Sequence, residues 1–119
     1  MPVRYLNSYV LKWPERAEVE RAARSWAESA ALLSTMVRRI GYYGSCARGE
    51  WGMGSDLDLL VIVNDSDRDF FHRSAEWDTS ALPVPVDLLV YTETEWHEMN
   101  RPGFAEQVVW IYNRSASTD

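Results

Sequence analysis

The chain has 119 residues and a net charge of −6, and it is 46% hydrophobic and 25% charged. That describes one globular domain with its own core; no run reaches transmembrane length and no basic-then-apolar leader opens the chain, so a cytoplasmic location is expected. The acidic balance argues against tight non-specific nucleic-acid binding, which needs many cations, and the single Cys46 excludes an internal disulfide or a cysteine metal cluster.

Residues 1–12 read as a short lead-in, extended at Tyr5-Leu6 and at Tyr9-Val10-Leu11. Trp13-Pro14-Glu15 opens a helix, because Pro is tolerated in a first turn and Glu15 and Glu18 suit its positive end. Val19, Ala22, Ala23, Trp26, Ala30, Leu33 and Val37 recur at helical spacing and predict its buried stripe. Met36 to Tyr43 reads as a strand ending at Gly44. The segment 45–55, with Gly49, Gly52 and Gly54, is a turn region with at most a short helix near its start. Leu57 to Val63 is almost continuously apolar and predicts a strand buried on both faces.

Asn64-Asp65-Ser66-Asp67 then starts a short helix carrying Phe70 and Phe71. Val84 to Tyr91 is a third strand, held to an edge or end by Pro85. Thr92-Glu93-Thr94-Glu95 caps a helix running to about Arg101, and Pro102-Gly103 breaks it. Val108 to Tyr112 is a last strand. The domain is expected over 1–113, with a disordered tail at 114–119. The element order predicts an α+β domain with a mixed β-sheet and helices mainly on one face, the opposite face being open to solvent.

One stretch carries chemistry: Gly44 to Val63, GSCARGEWGMGSDLDLLVIV. Gly44 lets the backbone approach a ligand or take a positive φ, and Ser45 offers a hydroxyl and an N–H to a phosphate oxygen. Asp56 and Asp58 are two apart, so on a strand both carboxylates leave one face. Asp58 beside Leu59 and Asp87 between Val86 and Leu88 break the apolar strand pattern, and such breaks concentrate at functional sites. Adjacent acids repel, and a divalent cation is the usual reason to keep them. Cys46 reads as a small buried residue. His72 and His97 lack metal-ligand spacing and read as structural or exposed.

This pattern resembles the nucleotidyltransferase superfamily that includes DNA polymerase beta, and most of all its minimal nucleotidyltransferases (MNT proteins). The resemblance covers residues 37 to 91, about half the chain, and rests on Gly44-Ser45, Ala47-Arg48-Gly49, Asp56-x-Asp58 and a later strand acid, Asp87. It implies that Asp56, Asp58 and Asp87 are catalytic and bind two Mg²⁺ ions. Gly44, Ser45, Arg48 and Ser55 would bind the nucleotide, ATP or another NTP. The implied reaction moves a nucleoside monophosphate, AMP in the first instance, to an acceptor hydroxyl.

Such MNT proteins pair with a helical HEPN-domain protein as antitoxin and toxin. Arg68 and His72 fall short of the Arg-to-His spacing of HEPN ribonucleases, so this chain resembles the partner of such a toxin. A HEPN-type helical protein is therefore the expected partner, with a second copy of the chain as the alternative and no membrane. The six tryptophans predict an apolar surface for that partner, including Trp96 and Trp110. The rival function is a non-catalytic nucleotide-binding module that neutralises its partner by contact; the three acids favour the enzyme.

Overall fold

A computed structural model describes residues 13–99 and 103–114. The expected lead-in at 1–12, the helix break at Pro102 and most of the tail lie outside these residues. The described chain is a four-stranded mixed sheet with one long helix, α1 (Arg16–Leu33), on one face. Strands β1 (Val37–Tyr43), β2 (Leu57–Val63), β3 (Val86–Thr92) and β4 (Val109–Asn113) lie in the order β3-β2-β1-β4. β1 is antiparallel to both β2 and β4, whereas β2 and β3 are parallel. Among the described residues, no helix is long and apolar enough to cross a membrane.

β2 behaves as its composition dictates. Leu57, Leu59, Val61 and Val63 pack toward α1, with Val19, Ala23, Trp26, Ala27 and Ala30 above them. Leu60 and Ile62 point to the other face, into a smaller cluster with Trp96 and Val108. That second cluster is roofed at one end of the sheet by two short helices, α4 (Glu93–Glu98) and α5 (Phe104–Gln107). The Thr92–Glu95 capping box that opens α4 is formed as its sequence predicts.

The element bounds differ from expectation in small, explicable ways. α1 begins after Pro14 and stops at Leu33, where Ser34 turns extended. The helical period ends there, so Leu33 is 88% exposed and Val37 is buried as a strand residue instead. β3 starts at Val86 because Pro85 has no N–H to donate; its carbonyl accepts from Leu57 N at 2.9 Å. α4 ends at Glu98, short of Arg101. The cap of α3 (Phe70–Arg73) is Asp69, not the 64–67 run. Single-turn helices such as α5 carry too few residues to show a period.

Trp96 and Trp110, expected at an apolar surface, are drawn into the second cluster instead. Trp96 is 5% exposed, ringed by Tyr91, Phe104 and Trp110, and Trp110 lies half-buried under the Arg39 guanidinium at 4.5 Å. Indole rings of this size are drawn into whatever core lies within reach.

Candidate active site

β1 ends at Tyr43 opposite Asp58 of β2, and Asp58 lies in parallel register with Asp87 of β3. Tyr43, Asp58 and Asp87 thus form a row across the sheet. By strand alternation that row lies on the face away from α1. Asp56 sits exposed just before β2. Four of the predicted site residues, Gly44, Asp56, Asp58 and Asp87, therefore lie at the same end of the sheet, where β2 and β3 start.

Gly44 is required where it stands. Its φ of 75° and ψ of −150° suit glycine, and a Cβ there would run into Asp58 Oδ2. The backbone can therefore turn hard against the carboxylate and start α2 (Ser45–Arg48), with Gly49 closing that turn in the left-handed region. Ser45 is half-buried as the first residue of α2, and its hydroxyl makes no hydrogen bond among the described residues. Ser55 is used locally: its hydroxyl oxygen accepts from Gly52 N at 3.1 Å. Arg48 is exposed and paired with Glu50 at 3.0 Å, yet its charge still reaches Asp58.

The site is electrostatically unbalanced. Burial, then the charges of Asp56 and Asp87, push the Asp58 carboxyl above the usual carboxylate range, with Arg48 opposing weakly. Burial and the same acids push the Tyr43 phenol up as well. Cys46 is buried on α2, and burial raises its thiol, as suits an inert small residue. His72 and His97 are both exposed, and the His72 ring meets Asp69 Oδ1 at 2.6 Å.

Hard carboxylate oxygens held in mutual repulsion fit a divalent cation of the Mg²⁺ kind. The fit is one of chemistry and charge: among the described residues, no three acidic, histidine or cysteine side chains converge as a ready-made metal site. A cavity of about 720 Å³ lies along α1, lined by Trp26, Leu33 and Trp77 and by none of the three acids.

Sequence reasoning missed what holds the glycine-rich loop. Trp51 Nε1 donates to Pro14 O at 2.9 Å, and Trp13 Nε1 donates to Ser55 O at 3.2 Å. Arg16 Nε donates to Cys46 O at 2.6 Å, while the Tyr42 hydroxyl donates to Glu20 at 2.6 Å. The start of α1 is thus pinned along the loop's whole length. The indoles were visible as residues, but no local pattern names a partner some forty positions away.

Three comparisons bear on this arrangement. The model of the family described as nucleotidyltransferase domain matches residues 24–111. Among solved structures, a candidate nucleotidyltransferase from Sulfolobus solfataricus superposes with a TM-score of 0.65 at 21% identity, covering 83% of this chain and 84% of that one. No curated protein matches the chain. At that identity the likeness establishes the fold, and the family match establishes membership. Nucleotidyltransferase domains generally work on a nucleoside triphosphate with a divalent metal. The motif, the acid row and the matched span agree, and the chain belongs to the nucleotidyltransferase domain family, in the minimal, DNA polymerase beta-like group that its motif resembles.

Proposed function

We propose that the chain transfers AMP from ATP to an acceptor hydroxyl on a partner protein, as the antitoxin of a HEPN/MNT-type pair. The observation that carries the transfer reading is Gly44 turned against Asp58, in a row with Asp87. It gives a close backbone approach for a triphosphate beside acids that form no ion pair among the described residues. Gly44 and Ser45 would hold phosphate oxygens through N–H and hydroxyl, and Arg48 would reach them by giving up Glu50. Asp56, Asp58 and Asp87 would hold two divalent cations, which when bound supply the charge that neutralises triphosphate and departing pyrophosphate. The acceptor oxygen forms its bond to the α-phosphorus as the bond to the β-phosphate oxygen breaks. Asp87, exposed on the outer strand, would take the acceptor's proton. The toxin–antitoxin role rests on the resemblance of the motif.

One observation favours the second reading, a nucleotide-binding module without catalysis: the described acids do not converge on a common point. Calorimetry with ATP, with and without Mg²⁺, and a labelled AMP-transfer assay distinguish the two. The catalytic reading expects binding that needs Mg²⁺ and transfer that drops at least about a hundredfold in Asp58→Asn. Equal affinity in EDTA would sink the metal-dependent reading. Mg²⁺-dependent binding without transfer to the co-produced partner would favour the module.

A further inference from the structure

A trough runs beside α1 at the sheet end opposite the acids. Ala22, Ser25, Ser29 and Ala30 make its floor, and Trp26 and Trp77 stand over it. These walls are fixed, because Trp26 Nε1 donates to Asp78 O at 2.8 Å and the two rings lie 6.2 Å apart at 52°. Past Ser34 the trough opens into a second cavity of about 420 Å³ between Met36, Asp65 and Asp67. At this corner Leu32, Leu33 and Met36 are 86%, 88% and 40% exposed. The floor is small enough for a helix backbone to come close, and the exposed leucines continue its apolar surface.

The rim is acidic. Asp65 and Asp78 are bonded by the backbone N–H groups of Ser66 and Ser80, and Asp67 is exposed. Of the cations nearby, Arg68 pairs with Glu76, Arg73 is buried against Glu95, and Arg114 is bonded to the carbonyls of Ala31 and Thr35. A symmetric contact between two copies would set these acidic rims against each other on chains that each carry a net −6.

We propose that this trough docks a basic amphipathic helix of another protein. Its apolar stripe lies on Trp26, Trp77 and Leu33, and its flanking cations meet Asp65, Asp67 and Asp78. The corner of the trough at Val63 lies about 17 Å along β2 from Asp58, and the trough is on the α1 face whereas the acid row is on the other. A partner held there leaves the acid row free, so docking and transfer can be tested independently.

The probe is a helical peptide of about 18 residues with a leucine stripe and Lys/Arg flanks, compared with one carrying the same stripe and Glu flanks. Anisotropy of the labelled peptides on the full chain is expected to favour the basic one by at least about tenfold. Ser29→Trp, an exposed helix position filled rather than emptied, should weaken it by a similar factor, and Asp65→Lys with Asp67→Lys should reverse the preference. ATP binding should not change in either variant. Equal binding of both peptides, or binding indifferent to Ser29→Trp, overturns the proposal. So does dimerisation on sizing that Ser29→Trp abolishes, which gives the trough to a second copy.

Discussion

The two ends of the parallel β2–β3 pair treat charge in opposite ways. Where the strands finish, Arg73 is 5% exposed, yet every part of its guanidinium is answered. It grips Glu95 at 2.5 and 2.9 Å and donates to the carbonyls of Arg68 and Val90. Where the strands start, Asp58 and Asp87 stand side by side with Asp56 near, and Arg48, whose charge acts on Asp58, is turned to Glu50. One end spends its charges on holding the fold together. The other keeps like charges in register at a cost to the fold, which is the mark of a site waiting for a counter-charge from outside.

The comparison breaks most readily at the balanced end. Glu95→Gln leaves Arg73 buried without its anion and should cost about 3 kcal/mol in a denaturant melt. The Arg73 hydrogen bonds hold the Glu95 carboxyl below the usual carboxylate range. A depressed acid contributes stability that is complete above its unfolded pKa and is lost as pH falls through its folded value. The wild-type chain should therefore lose more stability than Glu95→Gln on acidification below the ordinary glutamate range. An acid limb equally steep in the variant would remove the pair from the account.

A smaller effect tests the close approach. Gly44→Ala adds a Cβ at positive φ against the Asp58 carboxylate, and should cost about 1–2 kcal/mol. Gly49→Ala has a similar φ but an ordinary left-handed ψ and nothing within 4 Å, so it should cost less, and the excess at Gly44 reports its glycine-only backbone together with the contact to Asp58. Equal losses would mean that the turn, and not the carboxylate, demands the glycine.

The smallest effect has the opposite sign. With no cation present, Asp58→Asn relieves repulsion and burial together and should raise stability by about 0.5–1 kcal/mol in EDTA, discounted for solvent screening. The sign follows from the raised carboxyl: its folded form prefers the proton, so stability is greatest below the unfolded pKa and falls as pH rises through the folded one. A variant that melts lower in EDTA would make Asp58 a structural residue like Glu95, and the contrast between the two ends would disappear.

The chain disclosed these two ends unequally. The acid row was legible because strand alternation and the order Gly-Ser, Asp-x-Asp, strand Asp depend on local pattern. The long elements were legible for the same reason, α1 through its 3.6-residue period and β2 through its unbroken apolar run. Arg73 and Glu95 are 22 positions apart on short helices, and nothing in either neighbourhood names the other. The indole anchors of the loop failed likewise, and so did the surface reading of Trp96. A tryptophan's hydrophobicity says that it will be covered, but only the tertiary fold says by what.

Among the described residues, β3 pairs with β2 alone and lies at the edge of the sheet. Its single ladder carries both ends of the comparison, since Asp87 lies near its start and Val90, whose carbonyl Arg73 holds, lies near its finish. Any excursion that peels this strand away dismantles the acid row and strips Arg73 of its carbonyl partner in the same event. Mass action then works in both directions along it. A ligand gripping Asp87 suppresses the opening and so protects amides at the distant end, by RT ln(1 + [L]/Kd). Anything that loosens the Arg73–Glu95 clasp lowers the fraction of molecules able to bind that ligand. The edge strand thus makes ligand occupancy and the integrity of a remote ion pair two readings of one equilibrium.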